Sequence, residues 1–253
     1  EGSTPLTSYF NARMYELDTH LLVHCAMNLV RTCLDLHKEG ITICDFNPNN
    51  FLISKKGDCF FVDTDNFQFR TTGNREYKPA VACSMYLNKD LQELLSHGMS
   101  SGMSLSKIVP GFPFGSFNRK TDIWAMCVLI FHILMNGTHP FIGKYDGENI
   151  SLEVNIYHDY APYFGKGNSY DIAADKPSIS VMSKELQNFF YNIFFGNFEP
   201  EKTEEKFLSV LNTYSHSLTN HCGVKKNHHY LSHINNCPWC KIDREKNKIE
   251  PRK

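Results

Sequence analysis

The chain has 253 residues, 42% of them hydrophobic, enough to bury a substantial core in one large domain or one domain with an appendage. Its 26 Lys and Arg against 27 Asp and Glu leave a net charge of −1, so no global field recruits nucleic acid or an anionic membrane surface. The longest apolar run, residues 123–135, is interrupted by His132 and falls short of the ~20 residues that a membrane-spanning helix needs.

The opening stretch EGSTPLTSYFNARMYEL lacks the unbroken apolar segment of a secretory signal, and a cytoplasmic location is expected. Cysteine usage agrees with that. Cys25, Cys33, Cys44, Cys59, Cys83 and Cys127 are scattered through apolar or strand-like surroundings, as free thiols in a reducing compartment are, while Cys222, Cys237 and Cys240 cluster. An odd total also argues against a complete disulfide framework.

From Asp18 to Gly40, the residues Leu22, Cys25, Ala26, Leu29, Cys33 and Leu36 recur at mostly three- and four-residue steps, which predicts one amphipathic helix. Asp18 or Thr19 can cap its start, and Gly40 supplies a left-handed residue at its end. Three strand-like runs follow, at 41–43, 50–54 and 59–63. The KKGD turn joins the last two into a predicted hairpin, whose antiparallel pairing gathers Asp45, Asn50, Asp63 and Asp65 at one end. Residues 70–120 read as a long irregular segment with a short helix near NKDLQELLSHG, a length that usually signals a functional or disordered loop. The stretch TDIWAMCVLIFHILMNG is apolar on nearly every face and predicts a central buried helix capped by Thr121 or Asp122 and ended at Gly137. Two more helices are expected, at 183–195 and from 203 to about 217.

The acidic hairpin has the spacing that phosphoryl transfer uses. Asp45 and Asn50 reproduce the D-x-x-x-x-N pattern of a catalytic loop, Asp63 stands thirteen residues beyond Asn50, and DIWAMCVLIFHILMNGTHPF follows in order. In that ordered set, over roughly residues 5–217, the chain resembles the C-lobe of a protein kinase. The resemblance implies that Asp45 is the catalytic base, that Asn50 and Asp63, with Asp65 beside them, bind Mg-ATP, and that Asp122 braces the catalytic loop. SMYLNKDLQ takes the place of the segment ending in Ala-Pro-Glu, with Asp90 at the glutamate. Departures from the pattern are specific: Ile43 and Cys44 replace the His-Arg before the base, so an activation-loop phosphate has no arginine there to pair with. Asn47 replaces the lysine that helps to neutralise the transferred phosphate, and Thr64-Asp65 replace Phe-Gly. No glycine-rich loop and no V-A-I-K-like strand precedes residue 20, so the nucleotide-covering N-lobe is not in this sequence and the chain reads as starting just after the hinge.

The tail CGVKKNHHYLSHINNCPWC packs three cysteines and three histidines into 19 residues. Cys237-x-x-Cys240 has zinc-knuckle spacing, and Cys222 with His228 or His233 completes a tetrahedral Cys3His zinc site, with His229 less favoured. A redox Cys-x-x-Cys is the alternative; it leaves Cys222 and the histidines without a role. The final stretch KIDREKNKIEPRK reads as a solvated, frayed terminus. Together with DFNPNN, VDTDNFQ and NGTHPF, this tail resembles the bacterial kinase-like family sometimes described with helix-hairpin-helix DNA-binding domains. That resemblance implies a protein substrate and, as partners, a von Willebrand A-type protein and a phosphatase.

The expected architecture is therefore mainly α with a small β-hairpin region, a kinase-like C-lobe over 1–217 and a zinc-knuckle-like tail over 218–253. The expected function is that of a Ser/Thr protein kinase C-lobe, inactive as this piece alone, with a pseudokinase or zinc-stabilised docking module as the alternative. No membrane or nucleic-acid partner is expected.

Overall fold

The computed structural model describes residues 3–11, 17–145, 148–167 and 172–249; the last four residues of the stretch expected to fray lie outside them. A short strand, β1 (Thr4–Pro5), leads into helix α1 (Leu6–Asn11) and then into the long helix α2 (Thr19–Lys38). Asp18 caps α2, its carboxylate accepting from the N–H groups of His20 at 2.8 Å and Leu21 at 3.2 Å, and Gly40 turns the chain at φ +73°. The buried face expected for this helix is the one observed, from Leu22 through Cys33.

Strands β2 (Phe51–Ile53) and β3 (Cys59–Phe61) form the predicted antiparallel hairpin, Phe51 opposite Phe61, with Gly57 in its turn at φ +86°. β1 adds to β2 as a third, edge strand, where the missing N–H of Pro5 breaks no ladder between two neighbours. The run 41–43 is not a strand. Thr42 makes only an isolated bridge to Gln68, because Asp122 captures the N–H groups of Ile43 and Cys44 and Cys44 turns left-handed, at φ +67°.

The segment 70–120 is more ordered than expected. It holds a two-stranded ribbon, β4 (Phe69–Arg70) with β5 (Glu76–Tyr77), and helices α3 (Lys89–Ser100) and α4 (Leu105–Ile108). Cys44, Leu87, Leu91, Leu95, Ile108 and Phe117 bury one another there in a small second core.

Helix α5 (Arg119–Leu134) runs through the centre, every residue from Thr121 to Leu134 buried. It starts one turn earlier than expected and is capped by Asn118, not by Thr121 or Asp122: Asn118 Oδ1 accepts from Lys120 and Thr121 N–H, and the Asn118 N–H donates to Thr121 Oγ1 at 2.9 Å. That reciprocal box occupies Thr121 and leaves the Asp122 carboxylate to reach the loop at 43–44. Beyond α5 come the ribbon β6 (Lys144–Tyr145) with β7 (Glu148–Asn149), then α6 (Leu152–Tyr157), α7 (Lys184–Phe195) and α8 (Thr203–Ser217).

The tail forms a ribbon, β8 (Asn220–His221) with β9 (His229–Tyr230), and a helix, α9 (Pro238–Ile249). The described part of the stretch expected to be solvated, residues 241–249, is helical because Trp239 and Ile242 are 4% and 3% exposed and join the main core. The tail also grips the start of α2: the Thr19 N–H donates to Asn227 O at 3.1 Å, the His229 N–H to Thr19 Oγ1 at 3.1 Å, and Asn227 Nδ2 to Leu17 O at 3.2 Å. Among the described residues no helix is long and apolar enough to cross a membrane.

Candidate functional site

Asp45 lies at the end of the loop that α2 delivers, and it is buried. Its two carboxylate oxygens are held from opposite sides. Asn50 Nδ2 donates to Oδ2 at 3.0 Å, and the backbone N–H of Cys83 donates to Oδ1 at 2.9 Å. Asn50 sits in a short 3-10 turn, Pro48–Asn50, whose cap is Asn47, accepting from the Asn49 N–H at 3.1 Å. Asn47 thus has a local structural task where the family pattern has a lysine. Both described bonds of the Asn50 side chain come from Nδ2; no described residue donates to its Oδ1.

Antiparallel pairing carries the second acidic centre to the same end, since the Val62 N–H donates to Asn50 O at 2.9 Å and Asp63 follows directly. Asp63 is exposed and left-handed, at φ +62°. Non-glycine residues rarely adopt this region, and where they do the neighbouring structure holds them there. Asp65 is exposed in the 3-10 turn that follows. Asn66 anchors that turn, its Oδ1 accepting from the N–H groups of Ala80 and Val81. Burial pushes the Asp45 carboxyl above its ordinary range, its hydrogen bonds from Cys83 and Asn50 pull the other way, and the negative charge of Asp63 pushes it up further. The structure therefore brings Asp45, Asn50 and Asp63 to one end of the hairpin as an all-oxygen donor set with excess negative charge, which suits a hard cation such as Mg2+.

Asp122 holds the loop at 43–44, where the resemblance places its brace, and it heads a buried ionic chain whose other members, His37, Glu204 and Arg119, the sequence does not single out. Asp122 accepts from the N–H groups of Ile43 at 2.5 Å and Cys44 at 3.1 Å, and its Oδ2 is 3.0 Å from His37 Nε2. His37 Nδ1 is 2.6 Å from Glu204 Oε1, and Arg119 Nη2 donates to Glu204 Oε2 at 2.7 Å. Burial alone would lower the His37 pKa, but donation to the two carboxylates outweighs it and lifts the pKa to about 9, so the ring is an imidazolium at neutral pH. A signal existed: His37 falls four residues after Cys33 on the apolar stripe of α2, and a buried polar group there requires a partner. The partners come from α5 and α8, far away in sequence.

The second cluster is in the tail. Ligand atoms of Cys222, His228, Cys237 and Cys240 all lie within 4.8 Å of one another. Cys222 Sγ and Cys240 Sγ are 3.5 Å apart, and His228 Nδ1 is 3.3 Å from Cys237 Sγ and 3.5 Å from Cys240 Sγ. A tetrahedral ion with Zn–S bonds of ~2.3 Å needs ligand edges of roughly 3.5–3.8 Å, so the donor set fits. The N–H groups of Val224 and Lys225 each donate to Cys222 Sγ at 3.4 Å, which favours its thiolate. Of the histidines weighed, His228 is fully buried in the cluster, His233 is exposed on a turn outside it, and His229 points towards Asp18, its Nε2 3.6 Å from Oδ2. The other six cysteines are free, as expected.

No family model matches the chain. Among curated proteins it is similar to "Protein kinase YegI" of Escherichia coli (strain K12), 25% identical over 231 residues, covering 88% of this chain and 33% of that protein. The protein of the same name from Escherichia coli O157:H7 matches at 25% over 233 residues. "Serine/threonine-protein kinase/endoribonuclease IRE1" of Oryza sativa subsp. japonica is 26% identical over 136 residues, 54% of this chain and 13% of that protein. The chain spans about a third of the length of the bacterial relatives it matches. These similarities relate it to protein kinases, and its mainly helical architecture with small sheets is compatible with a kinase-like C-lobe.

Proposed function

We propose that the chain is the C-lobe portion of a protein Ser/Thr kinase, residues 1–217, carrying a zinc-bound appendage over 218–253. The observation that carries this reading is the Asp45–Asn50 hydrogen bond, buried and brought to the hairpin end that Asp63 follows by the β2–β3 register. In it, Asp45 orients the acceptor hydroxyl of a protein substrate and takes up its proton. Burial and the field of Asp63 raise the affinity of Asp45 for that proton. Asn50 Oδ1 and Asp63, with Asp65 nearby, would hold Mg2+, which with ATP supplies the phosphoryl group and neutralises its charge. Cys222, His228, Cys237 and Cys240 would hold zinc as a closed structural site. By family resemblance, a von Willebrand A-type protein and a phosphatase are the partners to test, in the cytoplasm.

One observation favours a second reading, a pseudokinase that serves as a docking module: Asn47 is committed to capping a turn and offers no cation to a transferred phosphate. The two separate in one experiment. The whole protein should bind ATP in a Mg2+-dependent manner and phosphorylate a protein acceptor, with Asp45→Asn lowering the rate by about 10²–10⁴. A whole protein that transfers no phosphate, and in which Asp63→Ala leaves nucleotide binding unchanged, belongs to the docking class.

A further inference from the structure

A groove of about 850 Å3 runs between the segment 172–181 and α9, remote in sequence from the residues proposed for phosphoryl transfer. Lys241, Arg244 and Lys248 follow one another along α9 at steps of three and four residues, and so share one face of it; Lys176 lines the other wall. Glu245 is the sole acidic residue among the described residues that line the groove, and Lys248 Nζ already holds it at 2.8 Å. Lys176 is 3.5 Å from its neighbour Asp175. Lys241 and Arg244 have no carboxylate partner among the described residues.

Two cations one helical turn apart, neither held by a carboxylate among the described residues, repel each other, and carboxylates placed between them relieve that repulsion. The lining beside them is mixed: Ser178, Ser180 and Asn236 are polar, while Ile172, Ala173, Ala174 and Ile234 supply aliphatic surface. That combination selects the class of partner. Single-stranded nucleic acid is held by stacking on exposed aromatic faces, and the groove lining contains none. Trp239, the aromatic residue of α9, is turned inward, its indole Nε1 donating to His229 O at 3.0 Å. A peptide carrying Asp and Glu beside aliphatic side chains matches both the charges and the aliphatic part of the lining.

We propose that this groove docks an acidic, aliphatic-containing peptide segment of a protein partner. The assignment stands apart from the phosphoryl-transfer reading, because it uses no residue of the hairpin site.

The test is fluorescence anisotropy on the whole, zinc-loaded protein with a labelled synthetic peptide of alternating Asp/Glu and Leu/Ile, and with its Asn/Gln counterpart. The acidic peptide should bind, weaken with added salt, and lose about tenfold or more in affinity in Lys241→Glu with Arg244→Glu. Lys55→Glu with Lys56→Glu, on the exposed β2–β3 turn, should leave it unchanged. Arg244→Gln, which removes an exposed charge without reversing it, gives a smaller loss and guards against misfolding, with zinc content and circular dichroism as checks. The proposal is overturned if the acidic peptide binds no better than its neutral counterpart, or if the double reversal leaves its affinity intact. A single-stranded oligonucleotide that binds more tightly than the peptide through the same residues overturns it in favour of nucleic acid.

Discussion

His37 Nε2 stands 3.0 Å from Asp122 Oδ2 while Asp122 also accepts from Ile43 and Cys44 N–H, so an imidazolium on α2 fixes the carboxylate that shapes the loop bearing Asp45. Glu204 and Arg119 complete the chain of charges, Asp122 and Glu204 balanced by His37 and Arg119. Removing one member of a buried charge network leaves its partners uncompensated. His37→Ala should cost about 3–5 kcal/mol, measured by denaturant unfolding. Arg119→Ala, at the exposed end of the chain, should cost less.

The same network sets a pH dependence. The His37 pKa is raised from 6.5 to about 9 because hydrogen bonds to Asp122 and Glu204 overcome the burial that lowers it. Its contribution to stability is therefore complete below pH 6.5 and is lost as pH rises through about 9. Melting temperature should fall for the wild type across that window. A His37→Gln protein, less stable throughout, should show a flatter profile; equal slopes would remove His37 as the cause.

Asp63 acts on Asp45 through its charge, after burial has already raised the carboxyl. Asp63→Asn should lower the Asp45 pKa, an effect readable in a carboxyl-carbon NMR titration. Mg2+ binding should weaken in the same variant. An unchanged Asp45 titration would mean that the two groups are not electrostatically joined.

The tail supplies a direct comparison between two histidines. His228→Ala removes a buried member of the four-residue cluster, whereas His233→Ala alters an exposed turn. Bound zinc, measured by elemental analysis, should drop from one per chain in the first variant and stay in the second. Chelation should lower the melting temperature and loosen the start of α2, because Asn227 and His229 hold Thr19. Hydrogen exchange at Thr19 reports this.

Gly98 tests the second core. A Cβ built there would lie 2.7–2.9 Å from three side-chain atoms of Ile108, so α3 and α4 touch at a point that admits no methyl group. Gly98→Ala should destabilise by about 1–3 kcal/mol in spite of the better helix propensity of alanine, and Ile108→Val should relieve part of the loss.

Local rules were enough for several elements. The stripe of α2, capped by Asp18, one of its two candidate caps, and the Gly57 hairpin are encoded by periodicity and turn chemistry within a short window and appear where the sequence predicts them; the all-apolar run of α5 is encoded the same way, but its start and cap are not. The residue types of both candidate sites were legible for the same reason: D-x-x-x-x-N and Cys-x-x-Cys are short spacings. Tertiary structure alone decided what depends on distant partners. Ile43 leaves the strand path because a carboxylate 79 residues away takes its N–H. His228 rather than His233 joins the cysteines because β8–β9 pairing turns it inward. Residues 238–249 are a helix because Trp239 and Ile242 find a core to which α2 and α8 also contribute. In each case a buried polar or apolar group is satisfied across the fold, and that free energy outweighs the local preference from which a sequence is read.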